Sequence, residues 1–69
     1  MNKDLDLHGV KHNDVNRLVE NFILLNESPM SIITGNSEEM MRLVINVLEE
    51  HNMNYWSFKP GRITILSKN

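Results

Sequence analysis

The 69-residue sequence contains no cysteine, and it has only three glycines and two prolines. Without cysteine the chain forms neither disulfides nor thiolate zinc sites, and nothing indicates an oxidising compartment. No apolar run is long enough to span a bilayer, and residues 1–4 lack the apolar stretch of a signal peptide. We therefore expect an intracellular, cytoplasmic protein with no membrane contact, folded as one domain over residues 1–69.

Positive charge is also scarce. Seven Lys and Arg residues face nine Asp and Glu residues, which gives a net charge of −2. A protein that binds duplex nucleic acid mainly through charge usually presents a strongly basic face, so this class is disfavoured. The three histidines show no metal-ligand spacing on one helix, whereas a divalent ion held by carboxylates or by a nucleic-acid phosphate stays open.

Hydrophobic periodicity predicts four strands and two helices. Alternation with period two predicts a strand at residues 5–8, and the β-branched pair Ile32-Ile33 predicts one at residues 30–34. Two further strands are expected at residues 55–58 and 62–67. Apolar stripes at helical spacing predict helices that begin after the N-cap residues Asn13 and Ser37. The first helix is expected to end before Pro29, and the second at residues 52–54.

The element order β-α-β-α-β-β predicts an α/β fold, a two-layer sandwich with a four-stranded mixed sheet and both helices on one face. Helical crossovers between parallel strands are right-handed in about 98% of cases, and joining successive neighbours in this way covers one face only. The last hairpin makes the fourth strand antiparallel to the third. The predicted core consists of Leu5, Leu7, Val15, Val19, Phe22, Ile32 or Ile33, Val44, Val47, Leu48, Ile63 and Ile65.

Unusual residues converge at one edge of this sheet, where the loops that follow parallel strands emerge and where α/β folds place their sites. Three loops meet there, at residues 8–12, 34–37 and 59–62, and they contain all three glycines and two of the three histidines. The candidate contact residues in these loops are Gly9, Lys11, His12, Thr34, Gly35, Asn36, Ser37, Lys59 and Arg62.

Asp6 and His8 are the candidate catalytic residues at this edge. Positions i and i+2 of a strand share a face, here the uncovered one. Histidine exchanges protons near neutral pH, and a nearby carboxylate can orient it or hold a divalent ion against phosphate. The alternative interpretation is that both side chains are simply the solvated half of an alternating strand.

The other candidates also have ordinary interpretations. Glycine at a helix N-terminus suits an approaching phosphate, but residues 34–37 could equally form a plain capping turn, and Glu38 and Glu39 would repel phosphate. Lys59 and Arg62 would contact a phosphate backbone or only keep a hairpin tip solvated. Trp56 is expected in the core, although an outward Trp56 would offer a platform on which a base stacks.

The segment Leu5-Asp6-Leu7-His8-Gly9, followed by an amphipathic helix, resembles the motif that opens Smr (small MutS-related) domains. Ile32-Ile33-Thr34-Gly35 resembles their second motif, and the resemblance covers residues 5–66. It implies a fold similar to the C-terminal domain of bacterial translation initiation factor three. The chain is most similar to minimal, phage-encoded versions, which implies a bacterial or phage-infected host cell.

The resemblance implies DNA or RNA as partner and endonuclease activity on structured nucleic acid, with Asp6 and His8 linked to cleavage and Thr34 and Gly35 to nucleic-acid contact. Magnesium or manganese would be the divalent cofactor if one takes part. Many relatives have a basic residue where this chain has Asn36. The alternatives are a catalytically silent nucleic-acid-binding module and a protein-interaction module that uses the open sheet face.

Overall fold

A computed structural model describes residues 3–68, and residues 1, 2 and 69 of the expected domain lie outside the described range. The chain forms an α/β fold with the predicted order of elements. The elements are β1 (Lys3–Asp6), α1 (His12–Leu25), β2 (Met30–Ile33), α2 (Glu38–Glu50), β3 (Met53–Lys59) and β4 (Arg62–Lys68). Within residues 3–68, no helix has the length and apolar character needed to cross a membrane.

The two helices pack against each other on one face of a four-stranded sheet, as predicted. Val15, Val19 and Ile23 form the buried stripe of α1, and α2 buries a matching stripe. A polar contact also joins the helices, because His51 Nε2 lies 3.0 Å from Glu20 Oε2. The uncovered side of the sheet is referred to below as the open face.

The helix starts differ in how they are capped. Lys11 is the N-cap of α1 and forms no side-chain capping bond, so the prediction of Asn13 as N-cap is wrong. The backbone N–H of Asp14 instead donates to the Lys11 carbonyl at 2.9 Å. Ser37 caps α2 as predicted, because its hydroxyl accepts a hydrogen bond from the Met40 N–H at 3.1 Å.

The strand order in the sheet is β1-β2-β4-β3, which corrects one expectation. β1 and β2 are parallel neighbours, but β3 does not lie beside β2. β4 is inserted between them and is antiparallel to both. β3 therefore runs in the predicted direction but occupies the sheet edge. β1 forms the opposite edge.

The core lies between the helices and one face of the sheet. It contains most of the predicted residues, with Ile32 rather than Ile33 on the covered face, and Leu5 and Phe22 only partly buried around it. The apolar residues Ile23, Met30, Met40 and Met53, which the core list above does not name, are also buried. Methionine fills irregular spaces between larger elements, which suits the three Met positions.

Candidate functional site

Three loops meet at the carboxyl edge of β1 and β2, and backbone hydrogen bonds hold them together. The N–H of Leu7 donates to the Ile33 carbonyl at 3.0 Å, which joins the end of β1 to the end of β2. The N–H groups of Thr34 and Gly35 both donate to the Gly61 carbonyl, at 2.8 and 3.1 Å. The hairpin tip between β3 and β4 is thus fixed against the turn that follows β2.

Asp6 and His8 contact each other at this edge. β1 ends at Asp6, and a turn closed by the Val10 N–H donating to the Leu7 carbonyl at 3.1 Å carries His8. Gly9 occupies this turn with a φ of 72°, a conformation that L side chains rarely adopt. Asp6 Oδ1 accepts the backbone N–H of His8 at 2.9 Å and lies 3.3 Å from its Nδ1.

The pair is open to solvent, with side-chain exposures of 60% for Asp6 and 79% for His8. The hydrogen bond from the His8 backbone N–H, helped by the imidazole, lowers the pKa of Asp6 below its ordinary value. Asp6 is consequently a carboxylate at neutral pH. When Nδ1 of His8 carries the proton it donates to Asp6, and Nε2 is left as a proton acceptor.

In the turn after β2, the backbone N–H of Gly35 and the hydroxyl of Thr34 already form hydrogen bonds within the protein. Gly35 has a φ of 69°, and its N–H is occupied by the Gly61 carbonyl. Thr34 is buried, and its hydroxyl donates to the Gly35 carbonyl at 3.1 Å. Both residues therefore shape the turn from within, whereas Asn36 and Ser37 are exposed on its surface. Only these two offer side chains to a ligand.

The candidate basic residues lie in the loops and at the strand ends of this edge, and they differ in their partners. Arg62 Nη1 lies 3.5 Å from Asp4 Oδ1, so its charge is partly compensated. Lys11 and Lys59 are exposed and form no ion pair with another described residue. His12 is exposed at the first position of α1. The uncompensated positive charge of this edge thus comes from the two lysines.

Trp56 is the residue whose environment the sequence analysis predicted wrongly. It is 61% exposed, on the open face, and Phe58 is 67% exposed. Tyr55 pairs with the buried Ile65 and takes the covered side, so Trp56 must take the other side. The alternation of side chains along β3 could have predicted this orientation, because Met53 and Tyr55 form the apolar side of the strand and polar Asn54 shares the other side with Trp56.

No group of three or more His, Asp or Glu side chains within residues 3–68 is arranged to hold a metal ion. Comparison with protein-family models, with curated proteins and with solved structures gives no match for this chain. The geometry of the site and the sequence motifs are consequently the basis for assigning a function to this chain.

Proposed function

We propose that this chain is an Smr-like nucleic-acid-binding domain that cleaves structured DNA or RNA, with Asp6 and His8 as its catalytic residues. The observation that carries the proposal is the contact between Asp6 Oδ1 and His8 Nδ1 at 3.3 Å, exposed at the carboxyl edge of the sheet. A carboxylate that orients an imidazole is a recurring arrangement for general acid–base catalysis.

The chemistry would use the two nitrogens of His8 differently. Asp6 accepts a hydrogen bond from Nδ1–H and so fixes the ring, and Nε2 takes a proton from the oxygen that attacks the phosphorus atom. The phosphorus–oxygen bond to the leaving group then breaks, the leaving oxygen takes a proton from water, and the hydroxide that this produces removes the proton from Nε2. The hydrogen bond from the His8 backbone N–H to Asp6 Oδ1 keeps the two residues in contact while Nε2 takes up and loses its proton.

Lys11 and Lys59 support phosphate binding in this proposal, because both are exposed and lie at the sheet edge that carries Asp6 and His8. Lys11 is in the loop after β1, and Lys59 is at the end of β3. The exposed side chains of Asn36 and Ser37 supply neutral hydrogen-bonding partners. Magnesium or manganese would find only scattered carboxylates among the described residues, so residues 3–68 alone do not form a complete site for the ion.

A catalytically silent binding module is the second candidate, and a specific observation favours it. The Gly35 N–H and the Arg62 guanidinium, two groups suited to a phosphate, already contact Gly61 and Asp4. The site then retains fewer groups to stabilise a phosphorane-like transition state. Binding without cleavage would be the outcome.

The test is cleavage of labelled single-stranded, duplex and branched DNA and RNA, with and without magnesium or manganese. His8→Ala should abolish cleavage and leave the melting temperature close to that of the parent, since exposed substitutions usually change stability by less than about 0.5 kcal/mol. Asp6→Asn should lower cleavage strongly. Glu27→Gln, an exposed carboxylate in the loop that precedes β2, is the matched control and should have no effect.

Unchanged cleavage by His8→Ala would refute the catalytic assignment. If the parent binds nucleic acid but cuts none of the substrates under any metal condition, the silent module is the correct function. A variant His8→Ala that no longer folds would show instead that the residue is structural, and His8→Gln would then separate folding from chemistry.

A further inference from the structure

Trp56 lies on the open face at the far edge of the sheet from the catalytic pair. Cross-strand pairing places Asp4, Ser31, Thr64 and Trp56 in one row that runs from β1 to β3. Neighbouring strands are about 4.8 Å apart, so three spacings separate the ends of this row by roughly 14 Å. Asp6 follows Asp4 by two residues on the same face.

Trp56 is unusually exposed for a large aromatic side chain, because tryptophan is highly buried on average. The only tryptophan of the chain is 61% exposed on an edge strand, while the helix side of the same strand packs Met53 and Tyr55 against the core. Trp56 therefore contributes little to the core. An aromatic face that is free on an open sheet is suited to stacking with a flat ligand.

Charge on this side of the molecule favours a nucleotide as the flat ligand. Lys59 ends the same strand, three residues beyond Trp56 and after a register shift, and it pairs with Arg62. Lys59 is exposed and forms no ion pair within residues 3–68. A stacked base and the phosphate beside it would thus meet an indole and an ammonium group on one strand.

The net charge indicates which form of nucleic acid would bind. Duplex binding depends on neutralising many phosphates, and a chain with a net charge of −2 is poorly suited to it. Stacking does not require positive charge, but it needs an unpaired base.

We infer that the open face binds a single-stranded segment of nucleic acid, with one unpaired base stacked on Trp56 and a phosphate of the same strand at His8. The inference deepens the proposed function and rests on it, because it names the form of the substrate. Trp56 acts here as a binding residue that positions the strand.

The experiment measures binding of labelled single-stranded RNA and DNA oligonucleotides, and of the matching duplexes, by fluorescence anisotropy at one fixed salt concentration. We expect the single strands to bind more tightly than the duplexes and to quench Trp56 fluorescence. Trp56→Ala should weaken single-strand binding at least about fivefold, whereas Trp56→Phe, which keeps an aromatic face, should restore most of it. Leu25→Ala, which truncates an 81% exposed side chain at the end of α1, is the control and should bind as the parent does.

Three outcomes would overturn the inference. The first is equal affinity for duplex and single strand, and the second is unchanged binding by Trp56→Ala. The third is light scattering that shows the parent as a dimer and the Trp56→Ala variant as a monomer, since the open face would then bind a second copy of the chain. Failure of the proposed function gives different results. Single strands that bind through Trp56 but stay uncut leave the inference supported and remove the catalytic assignment. Cleavage that depends on His8 but not on Trp56 removes the inference alone. Absence of any nucleic-acid binding overturns both.

Discussion

Gly61 offers the most demanding test of how the site is assembled. Its φ is 76°, and a Cβ added there would lie 3.0 Å from the Gly35 carbonyl oxygen and 3.1 Å from the Gly35 carbonyl carbon. These atoms belong to backbone, which cannot rotate away as a flexible side chain would. Gly35 and Gly9 have similar φ values of 69° and 72°, but a Cβ at either meets nothing within 4 Å.

The three glycines therefore separate two costs of a Gly→Ala substitution. Placing a Cβ at a positive φ costs roughly 1–2 kcal/mol, and this applies to all three positions. Gly61→Ala adds an overpacking cost of typically about 1–3 kcal/mol. We expect Gly9→Ala and Gly35→Ala to lower the free energy of unfolding by roughly 1–2 kcal/mol, and Gly61→Ala by roughly 2–5 kcal/mol.

Urea denaturation followed by circular dichroism measures these differences, and the glycines at positions 9 and 35 provide the controls. In a domain of this size each 1 kcal/mol lowers the melting temperature by roughly 4–8 °C, so thermal melts should show the same ranking. The reasoning is refuted if Gly61→Ala is no more destabilising than Gly35→Ala. That result would mean that the two turns do not touch as closely as their hydrogen bonds indicate.

Two further predictions concern other parts of the molecule. Burial, together with the hydrogen bond that its hydroxyl donates to Glu49, raises the pKa of Tyr55 above 10.0. Above pH 10 the folded chain therefore keeps the Tyr55 proton that the unfolded chain loses, so the free energy of unfolding should fall as the pH rises through the folded pKa. Near-ultraviolet absorbance follows the ionisation of Tyr55, the only tyrosine, and Glu49→Gln should make the rise in its pKa smaller. Asn36→Lys adds a positive charge to the turn that follows β2, and under the proposed function it should tighten nucleic-acid binding in the same anisotropy assay; unchanged affinity would count against phosphate at this turn.

The strand order shows where sequence reasoning stopped short. Periodicity located all six elements, because each apolar stripe has to face one core. It did not locate β4 between β2 and β3, because a hairpin requires only that β3 and β4 be neighbours. Helices pack 8–10 Å apart, about two strand spacings, so a crossover through α2 that skips one strand lets two helices cover four strands.

The structure distinguishes a central strand from an edge strand in this hairpin. β4 places Ile63 and Ile65 in the core, as a central strand would, whereas β3 carries exposed Trp56 and Phe58 and two register shifts against β4. Irregular pairing and exposed side chains are typical of edge strands. Burial and pairing, which become visible only in the folded chain, thus explain why Trp56 is exposed.

The inserted strand also decides which basic residue lies beside β2. With β4 beside β2, Arg62 pairs across from Ile33, reaches Asp4 on β1, and brings the Gly61 carbonyl to the amides of Thr34 and Gly35. Had β3 been the neighbour of β2, Arg62 would lie one strand further from β1, and Lys59 one strand nearer. The sequence motifs identified the acid and the imidazole, since these depend on local spacing. The placement of Lys59 and Arg62 relative to Asp6 and His8 depends on the sheet order, which no local pattern specifies. The hydrogen bonds from the Thr34 and Gly35 N–H groups to the Gly61 carbonyl hold the hairpin tip in that place.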